Sequence, residues 1–269
     1  MKNNYNFGIV KFHLCLKEGM LVKMKKFTKK RVFIIFFCIF MSVAVYIGQN
    51  TQLNERTDRN IGDAVQVTSL PVSGKVVILD AGHGTPDEGA ESKNGTTEAQ
   101  INLAIVLKIQ QLLEQSGCTV ILTRSDENAI YDLDAKTLKQ KKISDIHNRV
   151  KIGNESSADI FVSIHLNKIN EQQYYGWQTF YNTNNEQSKD LAEQIQSNLN
   201  ESMQKENHRI AMKLNTVYIM KHVEIPISIV ECGFLSNPEE EQQLQQEEYQ
   251  NRLAWGIYNG IISYFSILS

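Results

Sequence analysis

The stretch KVVILDAGHG, residues 75–84, opens on β-branched and apolar side chains and closes on a histidine between two glycines. The apolar run reads as a buried strand. The glycines let the backbone turn sharply at its end and leave room for a bulky partner beside the His83 ring. Downstream, strand-like and helix-like patterns alternate. EAQINLAIVLKIQQLLEQSG (98–117) reads as a helix, with Gly117 where a C-terminal cap glycine is wanted. TVILTR (119–124) reads as a strand, and residues 125–142 as a polar loop with a short helix. ISDIHNRVKIGNES (143–156) looks helical, DIFVSIHLN (159–167) and GWQTFYN (176–182) are strands. EQSKDLAEQIQSNLNESM (186–203) is an amphipathic helix with Leu191, Ile195 and Leu199 on one face. TVYIM (216–220) and ISIVECGF (227–234) read as further strands, and 238–265 closes the chain as one helix. This alternation predicts an α/β fold, a sheet covered by helices on both faces. No internal repeat is visible, and the Gln/Glu run around 239–250 reads as a solvated helix face.

The net charge of −2 over 269 residues conceals an asymmetry. Residues 1–31 carry nine Lys/Arg and one glutamate, +8, so the remainder carries −10. An acidic body argues against nucleic acid as partner. The basic head leads into VFIIFFCIFMSVAVYI (32–47), broken by one small polar residue, Ser42. A positive segment before an apolar run is an export signal or signal anchor. The run is at the short limit for a span. No clean small-x-small cleavage site follows it, which favours an uncleaved anchor. The basic head then stays cytoplasmic and the body lies outside the membrane. MKKFTKKRVFIIFF, from Met24, is already a complete signal head, so residues 1–23 are expected to be an over-extended start. Detection of Met1 by N-terminal mass spectrometry would refute that. The expected organisation is a basic head at 1–31, a signal or anchor at 32–48, a polar linker at 49–74 and a catalytic domain at 75–269. The body's cysteines, Cys118 and Cys232, lack CxxC spacing and read as buried free thiols, with one bridge between them as the alternative.

In α/β sheets ligands bind beyond the carboxyl ends of strands. His83, His165 and Glu231 all fall at such ends. Glu98 falls in the first turn of a helix that Thr96 or Thr97 could cap, where the helix dipole favours a carboxylate. Each has a bland reading: a turn histidine, a helix-start glutamate, a core histidine bonded to backbone, and a strand-end glutamate paired with Lys221. Together, two histidines and a glutamate make a donor set found in catalytic zinc sites, and Glu231 supplies a second carboxylate for proton transfer. His147 and His208 read as exposed. His222 is a candidate for lining the groove and Asn167 for orienting substrate, and Arg149 and Asn154 read as structural, tying a helix to the following strand.

The motifs LDAGHG, TTEAQINLA, TVILTR, RVKIGNESSADIFVSIHLN and IPISIVECGFLSNPEEE occur in this order over residues 75–265. Together they resemble the zinc-dependent N-acetylmuramoyl-L-alanine amidases of the amidase-3 family, most of all its sporulation- and germination-specific subgroup. The resemblance implies a mixed six-stranded sheet flanked by helices. It implies Zn2+ on His83, Glu98 and His165, catalysis by Glu231, and peptidoglycan as substrate. In the subgroup, removal of stem peptides leads to muramic-δ-lactam in spore cortex, which places the body outside the cytoplasmic membrane or between the forespore membranes. Thr85 stands where the family often has glycine and is expected to narrow the mouth of the site. The stretch 131–142 is too short for a large plug, so an open site is expected. Open alternatives are a peptidase or deacetylase on the same polymer, a non-catalytic wall-binding protein, and an enzyme that holds zinc weakly until a protein partner activates it.

Overall fold

The computed structural model describes residues 70–268. The basic head, the apolar run and most of the linker therefore lie outside the described residues. Six strands form one sheet: β1 (Val76–Ala81), β2 (Thr119–Leu122), β3 (Ile160–Asn167), β4 (Gln178–Tyr181), β5 (Met212–Lys213) and β6 (Ile227–Phe234). Their spatial order is β2-β1-β3-β6-β4-β5, parallel throughout except for antiparallel β4 and β6. The helices are α1 (Glu98–Gln115), α2 (Leu138–Glu155), α3 (Glu186–Met203), α4 (Tyr218–His222), α5 (Pro238–Leu244) and α6 (Glu247–Leu268).

Side chains alternate across a strand, so each strand feeds two layers. Val77 and Leu79 of β1, Val162 and Ile164 of β3, and Val230 and Cys232 of β6 face α1, α3 and α6 in the larger core. Ile78, Phe161, Ile227 and Ile229 face the smaller core with Val150 of α2 and Ile219 and Met220 of α4. The polar residues that interrupt the central strands, Asp80, Ser163, His165 and Glu231, keep the parity of this second face. That face carries the site.

Local chemistry fixes the helices that frame it. Thr97 caps α1, its side chain accepting from the Gln100 amide. Its C-terminus closes with Gly117 in the left-handed region at φ 80°. The Cys118 amide reaches Leu113 O at 3.1 Å and the Gly117 amide reaches Glu114 O at 3.0 Å, the paired bonds of a Schellman motif. α2 starts on a capping box between Thr137 and Gln140, five residues earlier than expected.

Two elements differ from expectation. TVYIM is not a strand: its apolar core forms α4, with Ile219 and Met220 buried against α2. A five-residue apolar run fits a strand or a buried helical turn equally well. The edge position falls to Met212–Lys213 instead. The closing helix is two helices: Gln245 caps α5, and the Gln250 amide group bonds back to Leu244 O at the break. Cys118 and Cys232 are buried free thiols, and burial pushes the Cys118 thiol up to about 11.

Candidate metal centre

His83 leaves β1 with φ 63°, in the left-handed region, at a backbone cost of roughly 1–2 kcal/mol for an L-residue. Two buried arginines and an asparagine hold it there. Arg124 Nε and Arg149 Nη1 each donate to Ala81 O at 2.8 Å. Arg124 Nη2 and Asn102 Nδ2 donate to Gly82 O, and Arg149 Nη2 donates to His83 O at 2.6 Å. Three consecutive carbonyls are thus fixed. Burial would raise the Asp80 carboxyl, but the Arg149 guanidinium and the hydroxyls of Ser163 and Thr123 hold it below its ordinary range.

Glu98 is buried at the start of α1. Its Oε1 accepts from the Leu166 amide at 3.0 Å, and its Oε2 from the Ala90 amide at 2.9 Å. Oε1 also lies 3.0 Å from His165 Nδ1, and Oε2 lies 3.4 Å from His83 Nε2. One donor atom from each of His83, Glu98 and His165 falls within 4.8 Å of the others. The two imidazole rings meet edge-on, 76° apart, with centroids at 5.1 Å.

Two glycines make this convergence possible. A Cβ on Gly82 would sit 2.3 Å from His165 Cε1, and one on Gly89, at φ +71°, would sit 2.6 Å from both Glu98 Oε2 and His83 Cδ2. Glu231 pairs in register with His165 across β3 and β6. Its Oε2 is sealed from solvent and has no hydrogen-bond partner. Burial, opposed by His165 and reinforced by Glu98, raises its carboxyl to about 7, in the range suited to proton transfer near neutral pH.

The donors fit a divalent metal. Two imidazoles and one carboxylate are borderline-hard ligands for zinc, and a tetrahedral site with bonds of about 2.0–2.1 Å has edges of roughly 3.3 Å. The closest contacts above are of that order. Burial lowers the His83 pKa, but the Asp87 and Glu98 carboxylates outweigh it and raise it to about 9; the same negative surroundings would be balanced by a bound cation, which the neutral ring can ligate. Burial opposes, and His165 and His83 enforce, a Glu98 carboxyl held well below its usual range.

His83, His165 and Glu231 line a cleft of about 180 Å³ together with the apolar side chains of Leu214, Val217, Ile219 and Ile229. The larger groove of about 860 Å³ runs between α1, α3 and α6 and contains none of these groups. His147 and His208 are exposed, as expected. His222 is also exposed and stacks on Tyr218 at 3.9 Å without lining the cleft. Asn167, the candidate for orienting substrate, ends β3 outside the lining of this cleft. Asn154 binds His222 O and the Glu224 amide. Arg149 reaches β1 and the His83 carbonyl, not the strand that follows its helix. Thr85 does not narrow the cleft: its hydroxyl donates to Glu88 at 2.6 Å and its backbone pairs with 127–129. Sequence reasoning missed Asp80, Asp87, Arg124 and Ser163. The charged Asp80 inside an apolar strand was the available signal.

A family model described as N-acetylmuramoyl-L-alanine amidase matches residues 77–263. The chain is 35% identical to the germination-specific N-acetylmuramoyl-L-alanine amidase of Bacillus subtilis over 204 residues, 76% of this chain and 85% of that protein. Its fold is similar to the CwlD amidase of Clostridioides difficile, solved in complex with the GerS lipoprotein. That match has a TM-score of 0.70 and 45% identity, and covers 72% of this chain and 99% of that one. It is also similar to the catalytic domain of CwlV, an N-acetylmuramoyl-L-alanine amidase from Paenibacillus polymyxa. There the TM-score is 0.62 and the identity 31%, over 72% and 99% of the two chains.

Proposed function

This chain belongs to the N-acetylmuramoyl-L-alanine amidase family and is an amidase acting on peptidoglycan, and on that premise we propose a zinc-dependent mechanism and a role in spore cortex. The bond cut joins the lactyl group of N-acetylmuramic acid to L-alanine of the stem peptide. The observation that carries the reading is the convergence of His83, Glu98 and His165 beside the unpartnered Oε2 of Glu231.

Zinc held by these three residues would polarise the scissile carbonyl and acidify the attacking water toward about pH 7. Glu231 Oε2, with no competing partner, accepts the proton of that water. It then delivers the proton to the alanine nitrogen as the amide breaks. The apolar wall of Leu214, Val217 and Ile219 keeps bulk water from the transferred proton and accommodates small aliphatic groups such as the lactyl and alanyl methyls. Arg149 and Arg124 keep the His83 backbone fixed throughout.

Kinship with a germination-specific amidase supports stem removal on the way to muramic-δ-lactam. On this reading the basic head (1–31) stays inside, residues 32–48 act as a signal anchor or signal peptide, and the catalytic body works outside the membrane. A partner protein for this chain is proposed by analogy with the Clostridioides difficile complex.

Mass spectrometry of peptidoglycan digested by the zinc-supplemented full chain tests the reading. Free stems beginning with L-alanine and peptide-less muramic acid are expected. Glu231→Gln should keep zinc and lose about 10²–10⁴-fold in rate. Cuts within the stem, or released acetate, would instead identify a peptidase or a deacetylase. Intact stems with a fully zinc-loaded protein would overturn the mechanism.

A further inference from the structure

The face of α2 toward the cleft carries Lys142, Asp145 and Arg149, spaced i, i+3 and i+7, so all three lie on one stripe. Arg149 holds the His83 carbonyl. Lys142 acts through an intermediary: its Nζ lies 2.9 Å from Asp87 Oδ2, and that same oxygen lies 3.3 Å from His83 Nδ1. The other ring nitrogen, Nε2, faces Glu98. His165 has the reverse arrangement, with Nδ1 toward Glu98.

We propose that Asp87, steadied by Lys142, is a positioning residue that fixes the His83 proton on Nδ1 and so frees Nε2 for the metal. The inference rests on the zinc reading above. An ionised carboxylate only accepts hydrogen bonds. Asp87 is therefore satisfied by the Nδ1–H form and not by the form protonated on Nε2, which would turn a proton toward Glu98. The two metal histidines then carry opposite tautomers, His83 protonated on Nδ1 and His165 on Nε2. Carboxylates that accept the second N–H of a ligating histidine commonly tune metal affinity 10- to 100-fold on loss. Nothing in the family motif read from the sequence gave Asp87 this task. Its side chain and that of Lys142 are 25% and 61% exposed, so their pairing adds little to stability, and variants there should fold.

The test is zinc affinity by competition with a chromophoric chelator on the full chain, for the wild type, Asp87→Ala, Asp87→Asn, Lys142→Met and Glu98→Ala. Asp87→Ala should weaken zinc binding by about 10- to 100-fold while the melting temperature in chelator stays at the wild-type value. Asp87→Asn should lose at least as much, because its amide can donate to Nδ1 and favour the wrong tautomer. Lys142→Met should lose less. Long-range ¹⁵N–¹H spectra of the zinc-loaded wild type should show one Nδ1–H and one Nε2–H ligand imidazole. Zinc binding by the wild type that survives Asp87→Ala unchanged, or two ligand imidazoles of the same tautomer, would overturn the assignment while leaving the metal site standing. A wild type that binds no more zinc than Glu98→Ala would overturn both.

Discussion

At the scale of single residues, the site depends as much on absent side chains as on present ones. Gly82 has the His165 ring where its Cβ would be, at 2.3–2.7 Å from three ring atoms. An alanine there must push the imidazole aside, because the Gly82 carbonyl is itself pinned by Arg124 and Asn102. A misplacement of about 1 Å in a catalytic group can cost about 100-fold in rate. Gly82→Ala should therefore lose activity to that extent and lose zinc stoichiometry, with a far smaller change in melting temperature. Full activity in that variant would show that His165 does not need its observed place. His83, His165 and Glu231 could be singled out because chemistry-bearing side chains stood at the ends of apolar runs, and Glu98 because it opened a capped helix. The contacts that hold them were not. That Arg124 of one strand end serves the carbonyls of another depends on strand order, which periodicity does not encode.

At the scale of elements, α2 clamps the loop that presents His83. The Arg149–Asp80 pair at its base is buried on both sides. Removing one partner of such a pair costs about 3–5 kcal/mol, because the other charge is left buried and unpaired. Arg149→Met should destabilise the chain on that scale in denaturant titration near pH 7. The pH dependence has a definite sign. Asp80 is held below its ordinary value of 3.8 in the folded chain, so its contribution is complete above that value and is lost as pH falls through the folded one. The gap between wild type and Arg149→Met should therefore narrow on acidification below about pH 4. A gap that widened would contradict the pairing. Element types read well from sequence where pattern and length agreed, as in α1 and β3. They failed at α4, where Val217–Met220 is too short for period alone to separate a strand from a helical turn. They also failed at the α5–α6 break, where a Gln/Glu-rich run hides a cap made by side-chain amides.

At the scale of the whole catalytic body, the three donors come from different parts of the sheet-and-helix frame. His83 follows β1, His165 ends β3, and Glu98 opens α1, which packs on the opposite face of the sheet from α2. A metal bridging them ties strand ends to a helix start that the chain otherwise joins through backbone amides to Glu98. Such a ligand binds the native arrangement and not the unfolded chain, so it stabilises by RT ln(1 + [L]/Kd), about 4 kcal/mol at a thousandfold excess over Kd. For a body of this size each kcal/mol moves the melting temperature by roughly 2–4 °C. Zinc at that excess should therefore raise it by roughly 8–16 °C over the chelator-treated protein. Glu98→Ala should lose the increment, since both its oxygens face the histidine nitrogens. Glu231→Gln should retain it, because Glu231 faces the cleft outside the converging group of His83, Glu98 and His165. Scanning calorimetry with and without chelator reads all three. An increment that survived Glu98→Ala would place the metal elsewhere, and one lost in Glu231→Gln would make that residue a ligand instead of a proton carrier.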